Sequence, residues 1–202
     1  MINSNTELAE MISTRISHDL IGNIGALSSA LELMKENNDE LDEGTKGIIT
    51  TAAHTLKARQ TFFRIAFGLE TKTIEAAELE NICKDYLSTI GSRQYPLNLQ
   101  LSGTTAALAK FLCLSVMIGA EVCIRGGNIS ISVNQNNMTV SAKSEYNLSA
   151  PKIEVYKNIL QNIRPQDNIS QYVQLIYLRE LLGSDVAMKI NYDDKYMELI
   201  IG

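Results

Sequence analysis

The feature that most constrains this chain is an apolar stripe running from residue 5 to about residue 36. Leu8, Ile12, Ile16, Leu20, Ile24, Leu27, Leu31 and Met34 follow one another at steps of four, four, four, four, three, four and three. That spacing keeps one face of a helix apolar along its whole length, and it predicts one continuous helix. An acidic, Asn-rich stretch from Glu36 to Gly44 interrupts the pattern and reads as a solvated hairpin tip. A second helix follows with Ile49, Ala52, Leu56, Phe63 and Phe67, ending near Gly68. Two such helices make an antiparallel hairpin, each with one apolar stripe. A lone hairpin buries those stripes poorly, whereas two hairpins paired as a four-helix bundle cover them. A homodimer is therefore expected.

From Thr71 the pattern changes. Residues 74–90 suggest a helix, 97–101 a short strand and 104–122 an apolar helix. Ile129, Ile131 and Val133 then alternate with serines, and Met138, Val140 and Ala142 alternate likewise across a turn at residues 134–137. Two helical stretches, 152–164 and 168–182, are separated near Pro165. A last hairpin has Val186, Met188, Ile190 and Tyr192 on one arm, Asp193-Asp194 at the turn and 195–201 returning. This order predicts an α+β chain: a helical hairpin over residues 1–70, then over 71–202 an α/β sandwich with helices on one face of a mixed sheet.

Charge narrows the function classes. A net charge of −5, with Lys and Arg scattered, speaks against nucleic acid and against anionic lipid. The longest uncharged apolar run lies between Lys110 and Glu121, half of the roughly 20 residues a membrane span needs. Residues 1–10 lack the basic-then-apolar order of a signal peptide, so a soluble, cytoplasmic protein is expected. Cys83, Cys113 and Cys123 share no metal-type spacing and read as small buried hydrophobes. With two histidines and no His/Cys cluster, no zinc site is expected.

On a helical wheel His18 falls roughly opposite the apolar stripe, on the solvent side. Gly22, Gly25 and Ser29 share its face at i+4, i+7 and i+11. A glycine inside a helix costs about 1 kcal/mol relative to alanine, so two beside one exposed histidine need a reason. Either they clear space for a partner, or they pack closely on a neighbouring helix; the wheel favours clearance. An exposed neutral imidazole is a competent nucleophile near neutral pH. Metal ligation would need further ligands at i±3 or i±4, where Thr14, Arg15, Ile21 and Gly22 stand. A general base would need a pocket. A plain surface histidine is the remaining alternative. Asp19 either orients and polarises His18 or is a solvated acid near Arg15. Arg15 is placed to meet a phosphoryl oxygen, or is simply a surface charge at i−4 from Asp19. His54 has no glycine surround and reads as a surface or packing residue.

The string Arg15-Ile-Ser-His18-Asp19-Leu-Ile-Gly22-Asn23-Ile-Gly25 resembles the phosphoacceptor box of sensor histidine kinases, in which a His followed by an acid sits on the first helix of a dimerising hairpin. The order of hairpin and α+β domain is similar to their dimerisation and ATP-binding domains. The nucleotide motifs are missing: Gly119 stands where the metal-binding Asn would lie, and no glycine occurs between Gly127 and Gly183. Without those glycines the phosphate-cradling turns do not form.

A histidine hairpin joined to such a stripped domain resembles the ChpT-type histidine phosphotransferases of alphaproteobacterial phosphorelays. The resemblance implies that His18, with Asp19, accepts a phosphoryl group from the receiver aspartate of a hybrid histidine kinase and passes it to response regulators. Arg15, Gly22, Asn23 and Gly25 would then form the docking face. No cofactor is implied, since the receiver supplies the divalent ion. Gly22 and Asn23 depart from the small polar residue and proline usual four and five residues after the kinase histidine. Two rivals remain: an active histidine kinase, and a non-catalytic dimeric adaptor or antikinase. Tyr172, Gln174 and Arg179 are conceivable receiver contacts, for which a solvated helix face is the alternative.

Overall fold

The computed structural model describes residues 5–36, 40–69, 74–103, 108–135 and 137–202. The expected boundary between the two halves, and the first residues expected in the helix at 104–122, lie outside the described residues. Helix α1, Asn5–Glu36, runs unbroken through Gly22 and Gly25. Helix α2, Glu43–Phe67, begins several residues before its first apolar position, because Asp42 caps it. The Asp42 carboxylate accepts from Thr45 N at 2.9 Å and from Thr45 Oγ1 at 2.8 Å, satisfying a donor that the first turn leaves free. At the other end, Lys110 Nζ donates to the Gly68 carbonyl at 2.7 Å.

The second half contributes α3 (Ala76–Ser88), β1 (Leu97–Ser102), α4 (Ala109–Val122), β2 (Gly127–Val133) and β3 (Met138–Lys143). It continues with α5 (Ala150–Leu160), a 3-10 turn at Ile169–Tyr172, α6 (Val173–Leu182), β4 (Met188–Tyr192) and β5 (Tyr196–Ile201). The sheet is mixed, in the order β1-β2-β3-β5-β4, with only β1 and β2 parallel. Leu99 pairs with Ile129, Ile129 with Ala142, and Ala142 with Met197, so one face is apolar from strand to strand. The alternating serines, threonine and asparagines point the other way, as period-2 alternation requires. Gly126, at φ +71°, turns the chain from α4 into β2, where a Cβ would lie 2.6 Å from the Pro96 carbonyl oxygen.

Helix α4 is apolar almost all round and buried on nearly every side, from Leu112 to Ala120. It packs on the inner sheet face on one side and on α2, α3 and α6 on the other. Gly119 sits directly on the sheet: a Cβ there would lie 2.9 Å from Ile129 Cγ2. The base of the hairpin joins this core. Phe62 stacks on Tyr86 at 3.7 Å between centroids, with Phe63 edge-on to the same ring. Met11, Phe62, Phe63 and Ala66 belong to one continuous apolar cluster with α3, α4 and the sheet.

The apolar stripe of α1 divides. Leu8, Ile12, Ile16 and Leu20 lie against the core, whereas Ile24 and Leu31 are 48% exposed and neighbouring Ile21 is 65% exposed. Leu41 and Ile48, at the same end of the hairpin, are also exposed. One chain therefore leaves the distal hairpin half-covered. All three cysteines are buried thiols, as small hydrophobes should be. Among the described residues, no helix is long and apolar enough to cross a membrane.

Candidate functional site

His18 lies midway along α1, with its side chain 79% exposed. The same helix brings Gly22, Gly25 and Ser29 to its face, all exposed. A Cβ at Gly22 or at Gly25 would meet nothing within 4 Å. Within the chain, these glycines are therefore not close-packing residues. They leave an open ledge beside the imidazole. Asn23 does not share that ledge; it is half-buried and lines the groove between α1 and α2 with Ala26, Gly47 and Ala52.

Asp19 turns inward from His18, its side chain 16% exposed. Its Oδ1 lies 3.6 Å from His18 Nδ1, and its Oδ2 accepts from Arg15 Nε at 2.9 Å. The acid is thus neither free nor fully solvated. Its backbone carbonyl also accepts from Arg59 of α2, whose guanidinium reaches on to the Thr89 carbonyl (3.0 Å) and hydroxyl (3.1 Å) at the end of α3. Arg59 so fixes the helix turn that bears His18 against both its hairpin partner and the second half of the chain.

Arg15 is not a surface charge awaiting a ligand. Its side chain is 12% exposed, and it pairs with Glu121 of α4 at 2.7 Å as well as with Asp19. It also donates to the Gln171 carbonyl at 3.2 Å. Burial works against its charge, but the facing carboxylates of Glu121 and Asp19 outweigh that and hold the guanidinium firmly protonated.

Glu121 anchors a buried polar cluster. Its Oε2 faces Lys152 Nζ at 3.1 Å and accepts from Tyr156 Oη at 3.0 Å and Gln174 Nε2 at 2.9 Å. Gln174 and Tyr156 are fully buried. Tyr156 ionises well above the ordinary tyrosine range, first because of burial and then because Glu121 is adjacent. Gln174 therefore is not on a solvated helix face and does not reach a partner; Arg179 likewise turns back to hold the Ile159 carbonyl at the end of α5. The half-buried Tyr172 packs edge-on against Tyr156. His54 is exposed on α2, on a shallow surface shared with Lys57, Thr61 and Asp85. Sequence reasoning missed Glu121, Arg59 and Lys152. The only available signal was that Glu121 is the sole acid of α4.

The architecture is thus a helical hairpin, with His18 exposed on α1 and His54 exposed on α2, joined to a mixed-sheet α+β domain. The chain is similar to the protein phosphotransferase ChpT of Brucella abortus (strain 2308), 25% identical over 196 residues that cover 92% of this chain and 89% of that protein. The ChpT-type resemblance seen in the sequence is thereby shown. A solved structure described as a bacterial phosphotransferase superposes with a TM-score of 0.79 at 21% identity, covering all of this chain and 98% of the other, and so shares its fold. The histidine kinase AdeS of Acinetobacter baumannii aligns over 91% of this chain at 13% identity, with a TM-score of only 0.43. No family model matches the chain.

Proposed function

We infer that the protein is a dimeric, cytoplasmic histidine phosphotransferase of a phosphorelay, in which His18 takes a phosphoryl group from a receiver aspartate and hands it to response regulators. The observation that carries this is the open ledge itself: an imidazole 79% exposed, two glycines with nothing near them, and a carboxylate beside one ring nitrogen.

The chemistry follows from the geometry. With Nδ1 facing Asp19, Nε2 is the nitrogen turned outward. In the neutral ring the proton stays on Nδ1, and the Nε2 lone pair attacks the receiver's acyl phosphate. The N–P bond forms as the P–O bond to the receiver aspartate breaks, and that carboxylate leaves with the electron pair. The product is a phosphorylated imidazolium whose Nδ1 proton faces Asp19 Oδ1. A small ring rotation from 3.6 Å brings the pair to hydrogen-bond distance, where the carboxylate offsets the new charge. The reverse sequence delivers the group onward. Transfer of this kind is mostly positioning and charge neutralisation, and the receiver's metal and cation act on the phosphoryl oxygens. Arg15 serves from behind, holding Asp19, instead of meeting the phosphoryl group.

The second half of the chain supports a docking role over ATP-dependent catalysis. Gly119 packs on β2, and the space between α4, α5 and α6 is filled by Glu121, Tyr156 and Gln174 bound to one another. The half-covered distal hairpin, with Ile21, Ile24, Leu31 and Ile48 exposed, supports dimerisation through a four-helix bundle. The test is a labelling assay. Label should pass rapidly from a phosphorylated receiver domain, His18→Ala should abolish it and His54→Ala should not. Label taken directly from ATP and magnesium would instead identify an active kinase. Partner binding without any phosphate uptake would identify an adaptor.

A further inference from the structure

The proposed reaction uses His18 and Asp19 but leaves a buried acid of the second half without a task. Glu121 Oε1 lies 2.7 Å from Arg15 Nη2, and its side chain is 9% exposed. Arg15 divides itself between Glu121 and Asp19, and Asp19 divides itself between Arg15 and His18. Lys152 completes the series on the far oxygen of Glu121. An alternating row of charges, His18–Asp19–Arg15–Glu121–Lys152, thus runs from the exposed imidazole into the core of the second half.

Every element packed around this row adds a group. Arg59 comes from α2, buried Tyr86 from α3, Lys152 and Tyr156 from α5, Tyr172 from the 3-10 turn and uncharged Gln174 from α6. Burial keeps the Tyr86 and Tyr156 phenols neutral. Asp19, Arg15, Glu121 and Lys152 then sum to zero charge, and Arg59 adds one positive charge at the Asp19 carbonyl. Were Asp19 the sole acid on Arg15, the guanidinium would cancel it, and the imidazolium formed on attack would face a neutral pair. Glu121 adds a second negative charge on the far side of Arg15, and it fixes the guanidinium so that Asp19 Oδ1 stays aimed at the ring.

We propose that Glu121 is a positioning residue for the phosphoacceptor: through Arg15 it holds the Asp19 carboxylate in place against His18 Nδ1, so that the second half of the chain sets how readily His18 accepts phosphate. This rests on His18 being the phosphoacceptor. It also gives the second half a part in transfer that neither nucleotide binding nor docking supplies.

Two histidines per chain make the test direct, since both imidazoles can be followed by NMR titration of the intact protein. Removing one charge of the row should change the proton affinity of His18 by roughly twofold, because the imidazole is 79% exposed and the charges act on it through water-like screening. Glu121→Gln should lower the titration midpoint of His18, and Arg15→Gln should raise it. The double variant, which removes one charge of each sign, should return it close to the wild-type value, and Glu121→Asp should leave it nearly unmoved. His54 should stay put throughout. Phosphate uptake by Glu121→Gln at saturating phosphorylated receiver should fall by a similar factor, with the half-saturating receiver concentration unchanged. A purely structural role predicts shifts without this sign pattern. The proposal is overturned if the two single variants move His18 in the same direction, if neither moves it, or if the double variant fails to restore it. Should Glu121→Gln not fold, Lys152→Gln, which removes the positive charge facing Glu121 Oε2, should raise the His18 midpoint, and an unmoved midpoint overturns the proposal. Failure of the wild-type protein to take up phosphate would defeat the phosphotransferase reading instead, and the titration would still read the coupling.

Discussion

Replacing Gly22 and Gly25 together by alanine separates folding from docking at the centre of the site. Both positions lie inside a long helix, and an added Cβ meets nothing within 4 Å at either. Each substitution should stabilise the chain by about 1 kcal/mol, the cost of a helical glycine relative to alanine. For a chain of this size the pair should raise the melting temperature by about 4–8 °C. If the ledge exists for a receiver, that gain comes with slower transfer, because the two methyl groups stand where the partner must approach the imidazole. A displacement of about 1 Å at the reacting atoms costs on the order of 100-fold in rate. The Gly22→Leu/Gly25→Leu pair, which projects further, should remain folded and transfer at least that much more slowly. Thermal unfolding by circular dichroism and single-turnover transfer from a phosphorylated receiver measure the two effects on the same samples. The reasoning is refuted if the alanine and leucine pairs are stable and transfer at wild-type rates. A destabilised alanine pair would refute it differently, by showing that the glycines pack against a helix of a second protomer.

Other outcomes follow from the same geometry. Ile24→Lys with Leu31→Lys should convert a dimer to monomers in light scattering while α1 keeps its helicity, since both side chains are already 48% exposed within the chain; a persisting dimer would place the interface elsewhere. Phe62→Ala removes a fully buried ring stacked at 3.7 Å on Tyr86 and should cost about 3–5 kcal/mol in denaturant unfolding, loosening the hairpin from the second half. The Asp42 carboxyl is held below its ordinary range, chiefly by the Thr45 N–H and then by the Thr45 hydroxyl. A depressed folded value means that its stabilisation is present above the unfolded carboxylate pKa and is lost as pH falls through the folded one. Melting temperatures taken from neutral pH into the acid range should therefore fall more steeply for the wild type than for Asp42→Asn, which keeps a capping oxygen but titrates no proton.

The fold was legible where periodicity was long or strict. The stripe from Leu8 to Met34 marked α1 over its observed span, and the alternations at Ile129–Val133 and Met138–Ala142 marked two strands that pair in the expected way. Helix ends were less legible because they are set by single contacts: the Asp42 cap starts α2 ahead of its apolar stripe, and α5 stops at Leu160, short of the expected reach to 164. Within the site, the face shared by His18, Gly22 and Gly25 was readable from helical angles alone, since it needs only one element. Arg15, Gln174 and Glu121 were not readable in this way. Each owes its role to partners over 50 or more positions of sequence, such as Gln174 on Glu121 at a separation of 53 and Arg15 on the Gln171 carbonyl at 156. Patterning within one helix makes Gln174 look solvated, yet the packing of α6 on α4 buries it completely.

The most direct measurement is the position and chemistry of the phosphate itself. The intact protein should be incubated with a phosphorylated receiver domain, and the modification mapped by mass spectrometry before and after mild acid. The account predicts one acid-labile phosphate per chain, on His18. Phosphate on His54, an acid-stable phosphate on a hydroxyl side chain, or none at all would contradict it.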